Sequence, residues 1–219
     1  MPPSNVRKSR KKRARRGRAY LLGTLALVLI VAVGLYVYAS SQSANSNPPS
    51  TGIVYAKLNT SKGLIEVELY QSKTPKTVDN FVKLVGQGFY NNLVWHRIAT
   101  DFVIQTGDPL TKNGGGDRGD WGTGGSSQTV PLEIDASLHN SAGYLGMARG
   151  GDRNSGSSQF YINLRDNASL DGDYTVFGRV TSGMDVARAI GDLPVDTPPD
   201  GRPLDPLPFL ISVTISNSP

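Results

Sequence analysis

The residue whose type and setting most directly suggest chemistry is Arg97. It stands in an apolar run at 93–98, and a second apolar run at 102–105 follows after a short turn. A guanidinium among apolar residues is costly unless its charge is paired or used. Two interpretations follow: an arginine at the rim of a sheet with its head group in water, or a group that acts on a substrate. A later segment, 147–163, repeats this mixture of arginine, amide and aromatic side chains.

Other chemistries find little support in the composition. The 219 residues include no cysteine, which excludes thiol nucleophiles, disulfides and thiolate metal sites. The two histidines, His96 and His139, are too few for a three-histidine metal centre. No GxSxG serine elbow is present, and the glycine-rich run at 113–125 lacks the residue order of a phosphate-binding loop. We therefore expect no metal and no cofactor, and we interpret 113–125 as a surface loop.

His96 precedes Arg97 on what we predict to be an alternating strand. Neighbouring side chains on a strand point to opposite faces, so the imidazole should point away from the guanidinium. We interpret His96 as a structural, hydrogen-bonding histidine and not as a catalytic group.

The elements that must position these residues are mostly strands. Two alternating runs, 53–59 and 64–70, are separated by a turn that ends on Gly63, which predicts a β-hairpin. Further short apolar runs follow at 93–98, 102–105, 144–147, 160–163, 175–180 and 209–215. Because closing a sheet removes its exposed edges, these runs favour a mainly β fold, a closed antiparallel barrel with helices over its ends.

Two helices are expected, one early and one late. The first should begin after Thr74, which can cap it, with Pro75 at the first helical position. The second should begin at Ser182, where Ser182 and Asp185 resemble a capping box, and should stop at Gly191.

The N-terminal part of the chain differs from the rest in charge. Residues 1–18 carry nine basic side chains and no acidic one, whereas the remainder has 14 basic and 18 acidic side chains. Residues 19–39 are uncharged, and a helix of this length spans about 30 Å, the thickness of the hydrocarbon core of a bilayer. We expect a cytoplasmic basic tail at 1–18, a transmembrane signal-anchor helix at 19–39, a flexible linker at 40–52 and an extracytoplasmic domain at 53–216.

Other interpretations of the N-terminus stay open. A small-x-small sequence ends at Ala39, and cleavage there would release the domain as a secreted protein. The basic run alone is typical of nuclear-import or nucleic-acid-binding segments, but it adjoins the apolar span. We therefore expect the lipid bilayer, through 19–39, as a partner of the chain. We expect no nucleic acid as a partner, and we expect a monomer.

Three segments resemble the signature sequences of the cyclophilin family of peptidyl-prolyl cis-trans isomerases. They are WHRIATDFVIQTGDP at 95–109, GYLGMARGGDRNSGSSQFYINL at 143–164 and SLDGDYTVFGRV at 169–180. The resemblance covers about 53–216. It implies a closed eight-stranded antiparallel barrel capped by two helices, and an isomerase that accelerates rotation of X–Pro bonds in proline-containing polypeptides, without a cofactor. The 113–125 loop should then lie near the substrate groove.

The resemblance also implies the residues of the site. The catalytic arginine corresponds to Arg97, with Phe102 and Gln105 beside it. The substrate-binding positions of the family correspond to Val103, Ala148, Arg149, Gln159, Tyr161, Leu170 and Tyr174.

Several positions depart from the pattern of the family. Val103 replaces a frequent methionine, Tyr161 a phenylalanine and Tyr174 a histidine. Ser169 stands where the cyclosporin-sensitive members have a tryptophan, which puts drug sensitivity in doubt more than catalysis. A noncatalytic module that binds proline peptides in the same groove is the alternative to an enzyme.

Two sequons, at Asn59 and Asn167, would carry glycans if the organism glycosylates exported proteins. A glycan on Asn167 would then lie beside the site.

Overall fold

The structure, a computed structural model, describes residues 52–216. The predicted basic tail, the predicted span at 19–39 and nearly all of the predicted linker lie outside the described residues. Within 52–216, no helix has the length and hydropathy that crossing a membrane requires.

Ten strands and two helices make up the described part of the chain. The strands are β1 (Val54–Thr60), β2 (Gly63–Leu69), β3 (Leu93–Val94), β4 (Arg97–Ala99), β5 (Val103–Thr106), β6 (Tyr144–Met147), β7 (Phe160–Asn163), β8 (Val176–Ser182), β9 (Asp200–Gly201) and β10 (Phe209–Ser216). The helices are α1 (Pro75–Gly86) and α2 (Met184–Gly191). Short 3₁₀ segments lie at Pro109–Gly114, Arg118–Asp120 and Ala168–Leu170.

All ten strands form one curled antiparallel sheet, in the order β3-β10-β1-β2-β8-β6-β7-β5-β4-β9. The mainly β class with two helices is confirmed, but the predicted strand count of eight is not. The run predicted at 93–98 breaks at Trp95 and His96 into β3 and β4, and a further two-residue strand, β9, pairs with β4. The terminal strands β3 and β9 do not pair with each other. However, β3 and β4 are the two halves of one interrupted run, so the sheet curls until β4, next to one end, adjoins β3 at the other end through Trp95 and His96.

The alternation of the strands separates a buried inner face from the outside. In the predicted hairpin, β1 and β2 pair from Val54 with Leu69 to Thr60 with Gly63. The inward side chains pack against both helices, and we call this core the inner cluster; its buried members include Leu58, Ile65, Phe81, Tyr90, Trp95, Ile104, Phe160, Ile162, Phe177, Ala187 and Ile190. The rings of Phe81, from α1, and Phe160, from β7, meet edge to face at 5.5 Å, a favourable geometry for aromatic pairs.

The first helix begins where the sequence predicts, but its cap comes from elsewhere in the chain. Thr74 precedes α1 and makes no side-chain cap, since its hydroxyl donates to the Tyr70 carbonyl at 3.3 Å. The Glu133 carboxylate instead accepts the backbone N–H groups of Lys76 at 3.1 Å and Thr77 at 2.8 Å. An anionic acceptor at a helix N-terminus satisfies free donors and opposes the positive end of the helix dipole.

The start predicted for the second helix was wrong. Ser182 is the last residue of β8, where it pairs with Glu66, and it does not form a capping box. The chain turns at Gly183, whose φ of 85° is costly for other residues, and α2 then begins at Met184. A Cβ atom on Gly183 would also lie 2.3 Å from the Leu64 carbonyl oxygen, so the turn requires glycine.

Candidate active site

A cavity of about 440 Å³ opens on the outer side of the sheet, above β4, β5 and β7. Its lining comprises His96, Arg97, Phe102, Val103, Gln105, Trp121, Gly122, Ala148, Arg149, Tyr161, Leu170, Tyr174, Asp200, Gly201 and Arg202. Nine of the ten predicted site residues are among them, and the tenth, Gln159, is not. The positions come together because strands far apart in sequence are neighbours in the sheet.

The apolar part of this cavity is a second, smaller cluster, which we call the pocket cluster. Its members are Ala99, Val103 and Tyr161, which are buried, and Phe102, Ala148, Leu170 and Tyr174, which are partly exposed. Strand alternation explains why these residues face outward: on β5, Val103 belongs to the pocket cluster, whereas the next residue, Ile104, belongs to the inner cluster.

Tyr161 forms a wall of the pocket and is held from both sides. Its hydroxyl donates to Asn140 Oδ1 at 2.7 Å, and its ring meets that of Tyr174 edge to face at 5.9 Å. Burial raises the pKa of the Tyr161 phenol, so the group stays protonated. On the neighbouring strand β6, a Cβ atom on Gly146 would lie 2.1 Å from the tyrosine ring, so glycine is needed there to admit it.

Arg97 lies at the edge of the pocket with its guanidinium fixed on two sides. Nε donates to Asp200 Oδ1 at 2.9 Å and Nη2 donates to Oδ2 at 2.6 Å, a bidentate ion pair. On the other side, Nη1 donates to Gln105 Oε1 at 3.2 Å, across the β4–β5 register that pairs Arg97 with Gln105.

A chain of amides continues from Arg97 to the glycine-rich loop. Gln105 Nε2 donates to Gln159 Oε1 at 2.8 Å, and Gln159 Nε2 donates to the carbonyls of Gly122 and Gly124 at 2.9 and 2.6 Å. Gln159 is buried behind Gln105, so it links Arg97 to the loop and does not line the cavity as the resemblance implied. The 113–125 loop does reach the groove, where Trp121 and Gly122 line it.

A buried carboxylate holds the same loop from below. Asp108 is fully buried and accepts the backbone N–H groups of Leu110 at 2.8 Å, Gly122 at 2.5 Å and Gly124 at 3.1 Å. These three donors offset the cost of burying the carboxylate. The loop segment that borders the cavity is thus fixed through its backbone.

The structure corrects the expectation for His96. The side chain is only 2% exposed, but it lines the cavity as Arg97 does, because the strand is interrupted at Trp95 and His96. Neither ring nitrogen meets hydrogen-bond geometry with any described residue, although the Gln159 side chain and the Val94 backbone lie close. Burial lowers the pKa of His96 to about 4, against the opposing effect of the nearby Asp108 charge, so the imidazole is neutral at pH 7.

The far end of the cavity is formed by Arg149 and Tyr174. The guanidinium of Arg149 lies 4.8 Å from the centre of the Tyr174 ring, and its Nε donates to the Asp173 carbonyl at 2.8 Å. A cation stacked on an aromatic face is attracted by the quadrupole of the ring. The stacked pair therefore forms a flat, partly charged wall of the cavity, at two of the predicted substrate-binding positions.

The structure also bears on the two sequons. Asn167 is buried, and its Nδ2 donates to Asn163 Oδ1 at 2.8 Å and to the Phe102 carbonyl at 3.1 Å. The nitrogen to which a glycan on Asn167 would be attached is therefore hydrogen-bonded within the folded domain. Asn59 is exposed on β1.

Six of the lining residues were not predicted as site residues: His96, Trp121, Gly122, Asp200, Gly201 and Arg202. Asp200 is the one that contacts Arg97 directly, and it lies in a stretch, 193–208, that has no hydrophobic periodicity. Only the pairing of β9 with β4 reveals its place.

Known proteins share this architecture and sequence. The family model described as cyclophilin type peptidyl-prolyl cis-trans isomerase/CLD matches residues 55–213. Peptidyl-prolyl cis-trans isomerase ppi1 of Schizosaccharomyces pombe is 41% identical over 160 residues, 73% of this chain and 97% of that protein. Peptidyl-prolyl cis-trans isomerase-like 1 of Aspergillus niger is 43% identical over 156 residues, 69% of this chain and 89% of that protein.

A solved structure agrees with these relatives. The crystal structure of a cyclophilin type peptidyl-prolyl cis-trans isomerase from Cryptosporidium parvum matches with a TM-score of 0.67 and 28% identity, over 76% of this chain and 99% of that one. A second structure of the same protein, determined in the presence of the dipeptide Ala-Pro, matches with a TM-score of 0.65. The chain therefore belongs to the cyclophilin-type peptidyl-prolyl cis-trans isomerase family and is an isomerase of this class.

Proposed function

We propose that this isomerase accelerates X–Pro rotation in exported or envelope proteins, from a domain tethered outside the cytoplasm by residues 19–39. The tether rests on sequence: an uncharged span of 21 residues follows nine basic side chains. An excess of basic residues keeps its side of a membrane span in the cytoplasm. The chain after the span then lies on the other side, where newly exported proteins fold.

Catalysis of X–Pro rotation depends mainly on the placement of side chains around the bond. A peptide bond resists rotation with a barrier of about 18–20 kcal/mol, because resonance gives it double-bond character. The two isomers of an X–Pro bond differ by only about 1 kcal/mol, and they exchange in tens of seconds or longer without a catalyst. Twisting the bond interrupts the resonance and localises a lone pair on the prolyl nitrogen. A donor aimed at that nitrogen stabilises the twisted state more than either planar state.

The single observation that carries the proposal is Arg97 at the edge of an apolar pocket. A guanidinium has five N–H bonds and no acceptor. Three of those of Arg97 are used by Asp200 and Gln105, which leaves two for a ligand. We assign Arg97 the role of donor to the prolyl nitrogen, and Gln105 that of holding it.

The pocket cluster is suited to hold the pyrrolidine ring. Phe102, Val103, Tyr161 and Leu170 provide apolar walls without a charge among them. The relative from Cryptosporidium parvum was crystallised in the presence of Ala-Pro, a dipeptide with one X–Pro bond. By analogy, we assign the proline ring of a substrate to this cluster, and we assign Ala148, Arg149, Gln159 and Tyr174 to the ends and supports of the groove.

The catalytic proposal is tested by Arg97→Ala in the full chain, with a peptide whose cis isomer is followed as it converts. We expect kcat/KM to fall about 10²–10³-fold, the usual effect of removing one transition-state donor. The matched control is Arg188→Ala, which removes an exposed arginine from α2, away from the cavity, and should leave kcat/KM within about twofold. Full activity in folded Arg97→Ala protein would overturn the mechanism.

The placement is tested by protease digestion of intact membranes that carry the full chain. Digestion of the isomerase domain from the outside, with residues 1–18 protected, is the expected result. Protection of the domain would contradict the topology. Recovery of a soluble domain that begins after Ala39 would instead identify the secreted form.

A further inference from the structure

We propose that Asp200 is a positioning residue for Arg97, so that the isomerase works with an arginine–aspartate pair and not with a lone cation. This inference rests on the proposed role of Arg97 in the reaction. No sequence motif pointed to Asp200, and the claim comes from its contacts and from the way the chain builds them.

The contact between Arg97 and Asp200 is bidentate. Both carboxylate oxygens of Asp200 accept from the same guanidinium, through Nε at 2.9 Å and Nη2 at 2.6 Å. Two parallel bonds define the plane of the guanidinium, which one bond cannot do. Gln105 adds a third bond from the opposite side. Arginine has a long side chain with many rotamers, and the two neighbours together leave it one orientation.

The chain devotes a small hairpin to this contact. Strand β9 consists of Asp200 and Gly201 alone, and it pairs with Ala99 and Ile98 of β4, directly beyond Arg97. The hairpin is tied to β4 at its other side by the Thr100 N–H, which donates to the Pro199 carbonyl at 2.8 Å.

The base of the hairpin is also fixed. Asp196 Oδ1 accepts the Arg202 N–H at 2.8 Å, and Val195 bridges to Pro203. A Cβ atom on Gly201 would lie 2.5 Å from Asp196 Oδ1 and 2.8 Å from the Thr197 nitrogen, so the hairpin is tight enough to require glycine there. Asp200 is thus carried by a rigid support and not by a free loop.

Stability alone does not account for this arrangement. The side chains of Arg97 and Asp200 are 39% and 45% exposed, and exposed ion pairs contribute only about 0–1 kcal/mol to the free energy of unfolding. The bidentate geometry instead fixes the direction of the Arg97 guanidinium, whose free N–H bonds must point at the prolyl nitrogen. A misplacement of about 1 Å can reduce the rate of an enzyme by about 10²-fold.

A second effect of Asp200 would change activity in the opposite direction. Asp200 also neutralises the charge of Arg97, and if net charge were the main contribution of the arginine, removing Asp200 would increase activity. Positioning and charge damping therefore predict changes in opposite directions, which makes the experiment decisive.

The test uses Asp200→Ala and Asp200→Asn in the full chain. We expect kcat/KM to fall about tenfold in Asp200→Ala, through kcat with little change in KM, because orientation matters most in the transition state. Asp200→Asn keeps one acceptor oxygen, so its kcat/KM should lie between that of Asp200→Ala and that of the wild type. The Nε–H signal of Arg97 in NMR spectra should lose its protection from exchange in Asp200→Ala and keep part of it in Asp200→Asn. Glu66→Ala is the matched control, because it removes a partly exposed ion pair, with Lys57, on strands that do not border the cavity.

A double-mutant cycle separates this inference from the proposed function. If Asp200 acts through Arg97, then Asp200→Ala should change nothing further in an Arg97→Ala background. The same tenfold loss in both backgrounds, or higher activity in Asp200→Ala, would overturn the positioning role and leave the role of Arg97 intact. Undiminished activity in Arg97→Ala would overturn the proposed mechanism itself.

Discussion

The inner cluster and the pocket cluster lie on opposite faces of the same sheet. Helices cover the inner cluster, whereas the pocket cluster lines an open cavity. Strands β5 and β7 supply both: Ile104 and Phe160 point inward, whereas Val103 and Tyr161 point outward. The inner face is covered by α1 and α2, whose residues Val78, Phe81, Ala187 and Ile190 join its core. Neither α1 nor α2 contributes a residue to the pocket cluster. Apolar side chains therefore provide stability on one face and remain available to a ligand on the other.

The two clusters also differ in what holds them. The inner cluster is a close-packed set of aliphatic and aromatic side chains, which tolerates little change in volume. The pocket cluster is framed by hydrogen bonds, from Asp200 and Gln105 around Arg97 to Gln159 and Asp108 around the glycine-rich loop. An open pocket needs such a frame, because packing alone would draw its walls together.

The largest expected contrast comes from two neighbours on β5. Ile104→Ala should lower the free energy of unfolding by about 2–5 kcal/mol, because it leaves a void in the inner cluster. Its kcat/KM, measured where the variant is folded, should stay within about twofold of the wild type. Val103→Ala should lower kcat/KM about tenfold by removing contacts to the proline ring, at a much smaller cost in stability. Urea titration and peptide assays check both variants, and equal stability losses in the pair would contradict the division into two clusters.

His96 is buried at the cavity, and its burial predicts a pH dependence of stability. Its pKa falls from 6.5 to about 4 on folding, so between these values the unfolded chain binds a proton that the folded domain does not. The free energy of unfolding should therefore decrease as pH falls from about 6.5 to about 4, by about 3 kcal/mol in total.

Urea unfolding at pH 7, 5.5 and 4 measures this decrease. His96→Gln cannot titrate and should lose that part of the slope. His139→Gln, which removes the exposed histidine beside Asp171, should keep it. The same slope in His96→Gln as in the wild type would show that another group is responsible.

The smallest expected effect comes from Tyr161→Phe. The substitution removes the hydroxyl bonded to Asn140 but keeps the ring that forms the pocket wall. The free energy of unfolding should fall by about 1 kcal/mol, the typical net value of one hydrogen bond. Peptide turnover should stay within about twofold, since Asn140 lies behind the wall; a large loss of turnover with unchanged stability would assign the hydroxyl to the reaction.

Strand alternation made the first hairpin predictable from sequence. The side-chain period of a strand is two, and the alternating runs at 53–59 and 64–70 predicted the pair that β1 and β2 form. The positions of nine site residues followed from the family resemblance, and their roles stay predictions until variants are assayed.

Other features depend on contacts between distant segments, which no local pattern records. Asp200 is adjacent to Arg97 only because β9 pairs with β4. The cap of α1 is Glu133, 57 residues after Lys76 in the sequence, while the nearby Thr74 bonds elsewhere. At Ser182, the pairing of β8 with β2 overrides the local preference for a helix cap.

The hydrogen bonds that join Arg97 to the glycine-rich loop through Gln105 and Gln159 all run in one direction. This direction restricts which side chains can occupy positions 105 and 159. A guanidinium can only donate, and the carbonyls of Gly122 and Gly124 can only accept. Between these two ends, each glutamine must receive with its oxygen and give with its nitrogen, as Gln105 and Gln159 do. A carboxylate at either position could receive but not give, and would face an oxygen it repels. The two uncharged amides thus connect Arg97 to the carbonyls of the glycine-rich loop through hydrogen bonds that all run in one direction.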